Sequence, residues 1–91
     1  MEIINKEKKS KFWDSEIILT EIKKSEKVFI RISSCEKSGK HYINMTEFVH
    51  IKDKETKEDV IVPSKGKNLN IEKKLIPEFI ELFEYLKENP I

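Results

Sequence analysis

Between Lys27 and Ile51 of this 91-residue chain, aromatic, basic and amide side chains alternate with aliphatic ones. Phe29 and Arg31 share one parity before Gly39, and Tyr42, Asn44, Thr46, Phe48 and His50 share one parity after it. Flat rings offer stacking platforms to unpaired bases, each worth about 1–3 kcal/mol. A guanidinium can stack on a base or pair with a phosphate, and a side-chain amide can hydrogen-bond a base edge. Lys37, Lys40, Lys65 and Lys67 fall close to the two glycines, Gly39 and Gly66, where turns would hold them out toward phosphates. The chemistry this set suits is non-covalent recognition of single-stranded DNA or RNA. The competing readings are structural, with the same rings packed beneath a loop, the N-terminal segment or a partner, and functional, a small non-catalytic protein-interaction module docking a partner through the sheet face or the helix.

Catalytic chemistry has less to work with. Cys35, His41 and His50 lack a metal-ligand spacing. On a regular strand the two histidines point to opposite faces. Cys35 could meet His41 across a hairpin, but no basic cluster or helix start stands beside it in sequence to activate the thiol. The glutamates near the C-terminus are spaced for solvation. With Gly39 and Gly66 the only glycines, no phosphate loop or dinucleotide fingerprint is present. The expectation is a protein without catalytic residues, metal or cofactor.

The alternation itself predicts two half-buried strands. Val28, Ile30 and Ile32, then Ile43, Met45, Val49 and Ile51, make an aliphatic face interrupted by Glu47. Glu16–Lys23, rich in β-branched residues, predicts a preceding strand whose parity is ambiguous. After the polar run Lys52–Glu58, Asp59–Val62 predicts a short fourth strand that Pro63 ends or leaves at an edge. Ser64–Asn68 reads as a second glycine turn. Asn70 could cap a short lead-in turn over Ile71–Leu75. Pro77 then suits the first position of a helix running to about Lys87, because a proline deeper inside would cost about 3 kcal/mol. Phe79, Ile80, Phe83 and Leu86 form its apolar stripe, and Glu78, Glu81, Glu84 and Glu88 its wet side. Leu82 and Tyr85 widen the stripe beyond what one sheet needs, so Leu82, Tyr85 and Leu86 are expected at a homodimer interface.

The expected fold is therefore α+β, a four-stranded antiparallel meander followed by one C-terminal helix (ββββα) packed on the aliphatic sheet face. Residues 1–15 form a basic, partly flexible N-terminal segment and 16–91 a single domain. Trp13 in that segment either docks on the body or stands free for stacking, docking being the favoured reading because a large ring buries much area.

Size and charge agree with one small domain. Hydrophobic residues are 37% and charged residues 38%, and the net charge of +1 names no partner. Residues 27–71 carry 9 basic against 6 acidic groups, whereas residues 72–91 carry 3 against 5. The lone Cys35 excludes an intrachain disulfide. The charged N-terminus does not resemble a signal peptide and no apolar run has the roughly 18 residues of a membrane span, so a cytoplasmic protein (nuclear if eukaryotic) without a membrane partner is expected.

The order of elements resembles the ββββα repeat of Pur-alpha-type proteins. Lys37 and Gly39 stand for that family's Lys/Arg-Gly turn, and Tyr42, Ile43, Asn44, Met45 and Glu47 for the aromatic–aliphatic–polar–aliphatic strand that follows. Glu78-Phe79 is similar to a pair in its helix. The stretch from Val62 to Phe79, with Lys65-Gly66, likewise resembles the positive-cofactor-four coactivators. The resemblance covers roughly residues 16–88. It implies single-stranded nucleic-acid binding, in transcription or nucleic-acid metabolism, by Phe29, Arg31, Tyr42, Asn44, Phe48 and the turn lysines, and a dimer made through the helices.

Overall fold

The computed structural model describes residues 1–90. In chain order it has strands β1 (Lys6–Glu7), β2 (Ser15–Lys23), β3 (Val28–Lys37), β4 (Lys40–Lys52) and β5 (Asp59–Glu72). A 3-10 turn (Lys73–Leu75) then leads into helix α1 (Ile76–Glu88). The strands form one antiparallel sheet in the order β1-β2-β3-β4-β5. The architecture is α+β as expected, with five strands where the sequence predicts four. The extra strand is β1, in the lysine-rich start. It adds to the β2 edge, where main-chain pairing needs no apolar side chain, so hydropathy does not reveal it.

The β3–β4 hairpin fits the alternation. Lys37 pairs with Lys40, leaving Ser38 and Gly39 as a two-residue turn with φ of 52° and 78°. Positive φ at both positions matches the twist of the flanking strands. Register sets Phe29 opposite Phe48, Arg31 opposite Thr46, Ser33 opposite Asn44 and Cys35 opposite Tyr42. One face is thus polar and aromatic. On the other, Ile30 lies opposite Glu47, Ile32 opposite Met45, and Val28 opposite Val49.

β5 departs from expectation. It runs through Pro63 and Gly66 instead of stopping at Val62. Between the pairs Thr46–Asn68 and Phe48–Pro63, β4 has one residue and β5 has four, so Ser64–Lys67 bulges out of the ladder. Gly66 takes φ 74° there. An edge strand tolerates both the missing proline donor and the bulge. Asn70 lies in the ladder opposite Asn44 and caps no helix. The β4–β5 loop is nucleated by Asp53, whose carboxylate accepts the backbone N–H of Glu55 (2.8 Å) and Thr56 (3.2 Å). These donors hold its carboxyl below the usual carboxylate range.

Helix α1 begins at Ile76, one residue before the Pro77 start that the sequence predicts, and ends at Glu88, one residue past the predicted Lys87. The expectation that it packs on the aliphatic sheet face is not met, because none of its residues is buried. The 3-10 turn points it clear of the sheet. Lys73 helps fix this exit through a hydrogen bond from Nζ to Ser34 Oγ (2.5 Å). Most of the buried side chains, Ser33, Cys35, Asn44, Glu16, Ile18 and Phe29, instead lie toward the polar-aromatic face, while Thr20, in register with Ile32, and Ile71, in register with Ile43, are buried on the other. On the polar-aromatic face the N-terminal segment covers part of the sheet, tied down by backbone bonds Lys8 N–H to Glu16 O (2.9 Å) and Asp14 N–H to Glu36 O (2.9 Å).

Candidate nucleic-acid interface

Rings and cations collect on the polar-aromatic face because the register stacks like residues across β3 and β4. Phe29 and Phe48, directly opposite, stack at 5.5 Å with an interplanar angle of 14°. Arg31, two residues along, sets its guanidinium 4.6 Å from the Phe48 centroid and 5.7 Å from that of Phe29. Its Nε donates to Glu21 Oε2 at 2.8 Å, which fixes the plane and offsets part of its charge. Phe29 is buried and backs this stack; Phe48 is half-buried and presents the accessible ring. His50, on the same parity, tilts against Phe29 at 5.5 Å.

The other end of the face is roofed. Trp13 is half-buried, with its ring 5.6 Å from Tyr42 and 4.9 Å from Phe12, so it docks. Lys37 turns inward, donating to the Phe12 carbonyl (2.5 Å) with its ammonium 4.6 Å from the Phe12 ring. Asp14 accepts the Ser38 N–H at 2.8 Å, joining the segment to the hairpin turn. Between roof and sheet lies an open cleft of about 390 Å³ whose lining includes Lys8, Phe12, Trp13, Arg31, Thr46 and Phe48.

Asn44 sits beneath this cleft, buried and fully engaged. Its Nδ2 donates to the Oδ1 atoms of Asn68 and Asn70, each at 2.7 Å, and its Oδ1 accepts from Thr46 Oγ1 at 2.8 Å. It holds β4 to β5 and has no free donor for a base edge. Asn68 and Asn70 are both exposed, and of these two Asn68 lines the cleft. Reading residues 64–68 as a turn hid that role. The alternation Asn68-Leu69-Asn70-Ile71 was the signal for a strand. Lys8 and Phe12 were missed as well, since nothing local shows which face a segment will cross.

The lysines divide. Lys40 is exposed at the hairpin end on the ring side, opposite Lys37. Lys65 and Lys67 are exposed in the β5 bulge. Lys67 lies near enough to Glu47, on the aliphatic side, to help depress its carboxyl, after larger effects from hydrogen bonds to Lys24 and Ser64. The structure thus brings Phe29, Arg31, Tyr42, Asn44, Phe48, Lys37 and Lys40 to one face and leaves Lys65 and Lys67 in the bulge, out of the ladder. Leu82 and Tyr85 are exposed on α1 and Leu86 is half-buried.

Cys35 faces the ring side, whereas His41 is in register with Glu36 and faces the other. Among the described residues no group of three or more His, Cys, Asp or Glu side chains could hold a metal ion. Among them, too, no helix is long and apolar enough to cross a membrane. Comparison with known protein families, with curated proteins and with solved structures finds no match.

Proposed function

We propose that this chain binds single-stranded nucleic acid, DNA or RNA, on the polar-aromatic face of its sheet, as a non-catalytic homodimer joined through α1. The observation that carries the reading is the Phe29–Phe48–Arg31 stack at the edge of a cleft shared with Trp13 and Lys8. A base entering there meets the Phe48 ring and a guanidinium plane held edge-on by Glu21, while Lys8 and Lys40 supply positive charge for the backbone. Pre-positioning by Glu21 lowers the entropy lost when Arg31 takes up a ligand. The engaged amide of Asn44 leaves stacking and charge as the dominant contributions, and such binding tolerates many sequences.

A labelled single-stranded oligonucleotide should gain fluorescence anisotropy on mixing with the protein, with affinity falling as salt rises. Phe48→Ala should weaken binding by about 1–3 kcal/mol, the value of one stacking platform, with an unchanged circular dichroism spectrum. No binding at low salt, or a folded Phe48→Ala variant that binds as the wild type does, would overturn the proposal. The opened aliphatic face favours a second kind of contact, with protein.

A further inference from the structure

Two apolar surfaces of this molecule lack a covering. On the sheet, Ile22 is 44% and Leu69 54% exposed, and Ile30, Ile32, Met45 and Val49 around them are only half-buried. On α1, Ile80 is 52% and Phe83 58% exposed. A monomeric globule of 10.8 kDa exposes about 5,500 Å², but this chain exposes 7681 Å², an excess of about 2,100 Å². Its radius of gyration is 15.3 Å against about 12 Å for a compact chain of this length. If two copies each cover that excess, about 4,200 Å² is buried in total, inside the range of obligate homodimers.

We propose that α1 of each chain seats its Phe79–Ile80–Phe83–Leu86 stripe on the aliphatic sheet face of a second copy, in a reciprocal two-fold exchange. The chain's own helix is directed off its own sheet by the 3-10 turn that Lys73 anchors to Ser34, so the occupant comes from a partner. Glu47, the one acidic side chain amid the aliphatic face, is already paired with Lys24 at 2.9 Å. The inference rests on the dimer part of the function proposed above and is independent of nucleic acid, since the exchange uses the opposite side of the sheet from the rings.

Sedimentation of the wild-type chain should give the mass of two copies. Two variants, Met45→Cys and Ile80→Cys, are then unfolded together, refolded and mildly oxidised, with wild type as the control for the buried Cys35. A disulfide between one Met45→Cys chain and one Ile80→Cys chain supports the exchange. Linkage only between two Ile80→Cys chains overturns it while keeping a helix-to-helix dimer. A single-copy mass for the wild type overturns both. Oligonucleotide binding is measured separately, so its failure is not confused with either. Because the cysteines could loosen the interface, Phe83→Glu serves as a second variant in the native chain. It should convert the dimer to monomer, and a dimer that persists overturns the exchange.

Discussion

The thiol of Cys35 is buried on the ring side, opposite Tyr42 and close to the carboxylate of Glu16. Burial, and then Glu16, push its pKa up to about 11, with Lys73 and Lys8 pulling partly back. The folded value lies above the ordinary 9.0. Stability from the neutral thiol is therefore present below pH 9 and lost as pH rises through 9 toward 11. Iodoacetamide should accordingly alkylate the native protein slowly at pH 9 and rapidly once it is denatured. A native rate that titrates with a midpoint near 9 would count against this burial. The sequence showed a small cysteine without activating neighbours, which is half of that account. Its depth came from the N-terminal segment crossing above. Asn44 teaches the same lesson in reverse. Parity placed it correctly on the ring face, but parity does not report lateral neighbours, and Asn68 and Asn70 take up its amide.

Among the elements, β5 was the least legible. Pro63 and Gly66 both signal chain breaks, yet a ladder resumes beyond each because an edge strand bonds on one side only. A Cβ at Gly66 would meet nothing within 4 Å, so the cost of Gly66→Ala is that of its φ of 74° alone. It should lower stability by roughly 1–2 kcal/mol in urea unfolding at fixed protein concentration. An unchanged midpoint would mean the bulge relaxes to another conformation. Lysines dominate the composition of the N-terminal segment, which predicts a basic and partly flexible stretch. Its attachment depends on backbone groups and on Trp13 against Tyr42, contacts made with residues distant in sequence. Helix α1, by contrast, was legible to within a residue or two, since Pro77 and the apolar repeat are local signals.

At the scale of the whole molecule, patterning identifies two amphipathic surfaces but not how they are joined. An aliphatic sheet face and an apolar helix stripe in one small chain suggest each other, and folding the second onto the first in cis was the simplest closure. The structure keeps them apart and leaves an excess of exposed area that a second copy would bury. If the pair is obligate, thermal stability depends on concentration. A tenfold rise in protein concentration adds about 1.4 kcal/mol, or on the order of 3–6 °C in Tm for a unit of two such chains. A Tm independent of concentration would indicate that one chain folds alone.

The sequence by itself determined the two-faced hairpin, the Gly39 turn, the start and end of the helix and the residue types on each sheet face. All of these follow from periods of 2 and 3.6 residues and from the restricted φ of proline, which act within a few residues of chain. Only the tertiary structure decided which face the N-terminal segment roofs, which amide ties β4 to β5, and that the helix leaves its own sheet uncovered. Those outcomes turn on contacts between residues far apart along the chain, where patterning says that a surface is apolar but not what will meet it.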